Sequence, residues 1–149
     1  MRTGLILSFL LATTGLASAA EVGLQAAPDM RGTWTGTFRA IVFGQNAHHP
    51  GTQTNADPPR IHEVNFTYEL DNEDGRLIWG TVWSDPTKKE PIALAFSFDN
   101  GTILGADTDG YHRMTIISQD RMEACFTQNA TGPTGSIVAS CTILERQPK

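Results

Sequence analysis

The chain has 149 residues and a formal net charge of −5, with 11 Lys and Arg against 16 Asp and Glu. That balance excludes a nucleic-acid partner, because neutralising phosphates takes a basic face. Two cysteines without CxxC spacing argue against a thiol metal or redox site.

Residues 1–20 read as a secretion signal. Arg2 supplies the positive end, Leu5 to Ala12 the apolar run, and Ala17-Ser18-Ala19 the small residues for cleavage. The run is shorter than the roughly 20 residues a membrane-spanning helix needs. An uncleaved N-terminal anchor is the alternative reading. No Cys stands near the cleavage site, so a bacterial lipoprotein is not indicated. No later segment is apolar enough for a membrane span. The expected location is periplasmic or extracellular. Residues 21–30 read as a flexible leader, and residues 31–149 as a single domain.

From Gly32 onward, short segments alternate apolar and polar residues. Segment one covers 32–44, with Trp34, Gly36, Phe38, Ala40 and Val42 on one face. Segment two covers 61–70, with His62, Val64, Phe66, Tyr68 and Leu70. Segment three covers 76–84, with Leu77, Trp79, Thr81 and Trp83 opposite Ile78, Gly80 and Val82. Segment four covers 91–98, with Ile92, Leu94, Phe96 and Phe98 together. Segments five to eight are 102–107, 110–118, 121–128 and 135–145. A period of two, rich in β-branched and aromatic residues, is the signal of half-buried strands.

The connections carry turn chemistry. Asn100-Gly101 predicts a two-residue hairpin. Residues 71–75 and 107–110 are acidic clusters ending in Gly, which suit tight turns. Neither places Gly and a distal Glu as a helical calcium loop does. Asn-x-Ser/Thr triplets begin at Asn65, Asn100 and Asn129, and matter only where the source glycosylates.

Eight strands joined by short turns leave two bare edges in an open sheet, and closure removes them. The predicted fold is an all-β, eight-stranded, antiparallel up-and-down β-barrel. A two-sheet β-sandwich shows the same rhythm and is the alternative.

Gly32-Thr33-Trp34 opening the first strand resembles the Gly-x-Trp signature of the calycin group, the lipocalins and avidins. The resemblance in overall pattern covers most of residues 32–146. It implies that Trp34 plugs the closed base under a basic residue from the last strand, for which Arg146 is in order. The length is nearer to the avidins. No biotin-binding set of Asn, Ser, Tyr and Asp maps onto the first two strands, so biotin binding is not implied.

In an up-and-down barrel successive connections alternate between the two ends. One end then holds 71–75, 99–101 and 118–120. The other holds 45–60, 85–90, 107–110 and 129–134. The long polar segment from Gln45 to Arg60 marks the second end as the mouth and itself as the lid. His48 and His49 lie in the lid. His62 and His112 begin the segments that follow the lid and the 107–110 turn. All four fall at the mouth, together with Trp83 and Tyr111.

Histidine suggests acid–base or metal chemistry, with His48 and His49 the weak metal candidates and solvated loop histidines the bland reading. Trp79 and Trp83 share a strand face and are expected to stack along one wall. Ligand-contact candidates are Trp79, Trp83, Tyr68, His62 and His112. Cys125 and Cys141 are expected to form a disulfide between the last two strands, with a bulge bringing their alternation into phase. No nucleophile elbow, HExxH or phosphate loop is present, and no catalytic residue or cofactor is assigned.

The function expected is an exported binding protein that holds a small apolar or amphipathic ligand, or a partner protein, at its mouth. A barrel-scaffold enzyme using the mouth histidines and a secreted protease-inhibitor-like barrel are the alternatives.

Overall fold

The computed structural model describes residues 26–46, 48–129 and 135–148. The expected secretion signal, the first part of the expected leader and residues 130–134 lie outside the described residues. Eight strands run in chain order: β1 (Gly32–Phe43), β2 (Arg60–Asp74), β3 (Leu77–Trp83), β4 (Glu90–Phe96), β5 (Thr102–Ala106), β6 (Tyr111–Ser118), β7 (Arg121–Asn129) and β8 (Ile137–Arg146). Each pairs antiparallel with the next, and β8 returns to β1. The sheet is a closed barrel and not a sandwich. Closure gives every strand two neighbours, so no row of backbone donors and acceptors is left for another chain to pair with. No helix among the described residues is long and apolar enough to cross a membrane.

The period-two faces of β1, β2 and β4 point inward as expected. Trp34, Phe38, Ala40, Val42, Tyr68, Leu70, Ile92, Leu94 and Phe96 are all buried. Ile103, Met114, Met122 and Leu144 complete the interior from the later strands. Side chains fill the middle of the barrel, as eight strands allow.

The base is closed by Trp34. Its Nε1–H donates to the Met30 carbonyl at 2.9 Å, and the Arg146 guanidinium stacks 4.6 Å from its ring centroid. Arg146 also donates to the Asp29 carbonyl and faces Asp120 at 3.5 Å. Residues 26–30, expected as the end of a loose leader, instead cap this end: Met30 is fully buried and Ala27 packs on the core.

Several local expectations are corrected. On β3 it is Ile78 and Val82 that face inward, while Leu77 and Trp79 face out. Both faces of this strand are apolar, so aromatic weight misleads. On β8 the inward face is Val138, Ser140, Thr142 and Leu144, which puts Cys141 outside with Cys125. The two cysteines are direct register partners and are disulfide-bonded, with no bulge between β7 and β8. The bulges lie instead between Leu70 and Asn72 and between Ile116 and Ser118. Beyond the first of them β2 runs on to Asp74, and the turn tightens to Gly75-Arg76 with Gly75 at a φ of 60°. Gly80 lies across from this bulge, where a Cβ would strike the Glu69 carbonyl. The β4–β5 connection spans 97–101 and is no two-residue hairpin. Only Asn100 is left-handed in it, at a φ of 57°. Phe98 is thereby 73% exposed, beneath the Arg76 guanidinium.

Candidate functional site

The meander alternates its connections as expected. Residues 75–76, 97–101 and 119–120 lie at the base with Trp34, and the described residues 44–46, 48–59, 84–89, 107–110 and 135–136 lie at the other end. This second end collects polar groups that the rest of the interior lacks.

His112 is the deepest of them. It sits on the inward face of β6 because His112, Met114 and Ile116 share that face. Its Nε2 lies 2.8 Å from Asp107 Oδ2, and its Nδ1 lies 3.4 Å from the Tyr68 hydroxyl. Asp107 is aimed by its turn: its other oxygen accepts from the amides of Asp109 and Gly110 at 2.9 and 2.7 Å. Burial works to raise the Asp107 carboxyl, but the His112 ring and those amides outweigh it and hold it below the usual carboxylate range. Burial, with the Asp107 charge adding to it, pushes the Tyr68 hydroxyl well up, so it remains a donor. The ionised carboxylate accepting from Nε2 leaves Nδ1 free to accept from Tyr68.

The lid lies over this group. Asn46 organises its first turn, accepting from the amides of His48 and His49 at 2.9 and 2.7 Å. The Asn46 amide donates to Gln128 at 2.6 Å and to Ser136 at 3.0 Å, tying the lid to β7 and to the start of β8. Arg60 pins the other side by donating to the carbonyls of Gly44 and His49 and to the Gln53 side chain.

His49 is only 3% exposed, and its Nδ1 meets His62 Nδ1 at 2.7 Å. Burial, reinforced by His62, His48 and Arg60, lowers His49 to about 4, so it is neutral at ordinary pH. The polar lid thus carries a buried side chain of its own.

His48 turns the other way. Its Nδ1 lies 2.7 Å from Ser84 Oγ, and its Nε2 lies 3.2 Å from Glu90 and 3.8 Å from Asp109. Burial and the neighbouring Glu90 raise the Asp109 carboxyl.

Phe38, Phe66, Tyr68 and Phe126 line one cavity together with His112, Asp107 and the lid residues Asn46, His48 and His49. The cavity measures about 20 Å³, on the scale of one water molecule. Tyr68, His112, His48 and His49 thus line one space, and His62 stands behind His49. Trp79 and Trp83 do not join them. Trp79 is 44% exposed on the outer wall, and Trp83 lies outside beneath Lys89, whose ammonium is 3.9 Å from its ring. They form no wall of the cavity because the inward face of β3 is the one carrying Ile78 and Val82.

Sequence reasoning missed Asp107, Asn46 and Phe126. A signal for Asp107 exists: an Asp-x-Asp-Gly turn that caps its own amides, with a histidine just beyond on the returning strand.

No protein-family model matches this chain, and no curated protein or solved structure matches it either.

Proposed function

We propose that this protein is an exported binding protein that takes a small amphipathic ligand at its lidded mouth. One observation carries the reading: among the described residues, the buried polar residues His49, His112, Gln128 and Ser136 all lie at the mouth end, beside Phe38, Phe66 and Phe126. Burying such groups costs free energy even when they are hydrogen-bonded, and an apolar fill would serve stability better. The cavity is water-sized, so a ligand larger than water enters only as the lid lifts. The lid is held by the hydrogen bonds of Asn46 and Arg60, which water or a ligand head group can replace. An apolar portion would then rest on Phe38, Phe66 and Phe126, and a polar head would meet His112 and His49. Export is supported by the Cys125–Cys141 disulfide, since such bonds persist in oxidising compartments. The calycin resemblance is supported by Trp34 beneath Arg146 at the base of a closed barrel.

A second reading, a partner protein, has its own observation. The outer wall of β3 to β6 carries Leu77, Ala95 and Leu104 in one register row and Trp79, Ala93, Ala106 and Tyr111 in the next. Arg113 ends the first row on β6, and no charged side chain interrupts the second. Exposed apolar patches of this kind mark interaction surfaces.

Native mass spectrometry of protein isolated from its own host separates the two readings. A co-purifying small mass, lost on Phe66→Ala, is expected. A bound polypeptide would favour the outer wall, and a bare chain under the gentlest conditions would refute the ligand reading.

A further inference from the structure

His48, Glu90 and Asp109 reach one point from three different segments: the lid, the first residue of β4, and the β5–β6 turn. One donor atom from each lies within 4.8 Å of the other two. All three side chains are mostly shielded, with His48 11% exposed. Among the described residues no Lys or Arg forms an ion pair with Glu90 or Asp109, and the His48 ring is the partner they share. Thr108 donates to the second Glu90 oxygen, which fixes that carboxylate. The His48 ring is fixed too, because Ser84 Oγ holds Nδ1 at 2.7 Å. A hydroxyl can accept as well as donate, so Nδ1–H can be satisfied there while the Nε2 lone pair faces the two carboxylates. Metal-bound histidines are oriented in this way, by a hydrogen bond from the ring nitrogen that does not bind the metal.

From this geometry we infer that His48 Nε2, Glu90 and Asp109 form a three-ligand site for a divalent first-row cation of the zinc class. One imidazole with two carboxylates is a borderline donor set that suits zinc better than calcium, which takes six to eight oxygens. Tetrahedral ligands about 2.0–2.2 Å from zinc stand about 3.3–3.6 Å from one another. The Nε2–Glu90 distance of 3.2 Å and the Nε2–Asp109 distance of 3.8 Å need only small side-chain adjustments to meet that. Two carboxylates held close with one histidine leave local negative charge, which the cation neutralises. Three protein ligands leave a position open, and His48 also lines the mouth cavity. An anionic head group of a mouth ligand is what that position would take. That last step alone rests on the ligand reading; the metal site does not.

The test is calorimetric titration of zinc chloride into the untagged exported protein, stripped beforehand with a chelator. One zinc per chain is expected. Glu90→Gln and Asp109→Asn should each weaken binding at least about tenfold, since losing a residue that merely orients a ligand already costs that much, while Glu63→Gln, an exposed carboxylate of β2, keeps the parent affinity. Unfolding curves of the metal-free variants establish that they fold, and if one does not, the other carries the test. Cobalt gives a second readout: visible bands in the parent that vanish in the two carboxylate variants. A parent that takes up no zinc, carboxylate variants that bind like the parent, or a site weakened as much by Glu63→Gln would each overturn the inference. None of these results depends on whether a small mass co-purifies with the protein.

Discussion

Replacing His49 by Gln should flatten the acid dependence of stability. In the unfolded chain a histidine titrates near 6.5, and in the folded barrel His49 titrates at about 4, because burial and His62 disfavour its charge. Between these values the unfolded chain holds a proton that the folded chain refuses. Stability therefore rises with pH across this window and is lost as pH falls from about 6.5 to about 4. The gap of about two and a half pH units corresponds to about 3 kcal/mol, a large part of the 5–15 kcal/mol typical of a domain. Asp109 acts in the opposite sense at the acid end, since its raised carboxyl takes up a proton more readily when folded. It is present in both proteins, so their difference cancels it. Gln keeps a polar group against His62 and cannot titrate. Urea unfolding between about pH 7 and pH 4 is the assay. The parent should lose up to about 3 kcal/mol more than His49→Gln across the window. Parallel curves would show that His49 is not buried beneath the lid and would refute the reasoning.

Three further outcomes follow from the same structure. Trp34→Ala should cost about 3–5 kcal/mol, typical of a large buried aromatic, because it also removes the bond to Met30 and the surface beneath Arg146. A variant as stable as the parent in urea would show that Trp34 does not plug the base. Reducing the Cys125–Cys141 bond should cost about 3 kcal/mol by the loop-entropy model, and alkylation of denatured, unreduced protein should find no free thiol. Arg60→Ala should speed amide exchange in the lid while leaving β1 and β8 near the base unchanged, and equal protection in both proteins would mean that Arg60 does not pin the lid.

The strand count and the two ends of the barrel were legible because they depend only on period-two alternation and on turn residues. The parity of eight strands then brought four histidines from three segments to one end. Face assignment failed where alternation is ambiguous. Leu77, Trp79 and Trp83 outweigh Ile78 and Val82 in apolar bulk, yet Gly80 shares the inward face, where β2 bulges toward it. On β8 the inward face carries two polar residues, Ser140 at the mouth cavity and Thr142 bonded to the Thr37 carbonyl, so a rule that sends apolar residues inside selects Ile137 and Ala139 instead. The lid was legible as a long polar loop. Its closure was not, because that depends on Arg60 and Asn46 meeting backbone carbonyls and side chains distant in sequence.

The central claim is that the lidded, histidine-rich mouth is the binding end, and a crystal structure of protein isolated from its own host without refolding tests it most directly. The expected result is non-protein density on Phe66 and Phe126, beside His112, beneath a lifted segment 45–59. A closed lid over a water-sized cavity, with the bound molecule seated on Trp79 and Leu104 of the outer wall, would contradict it.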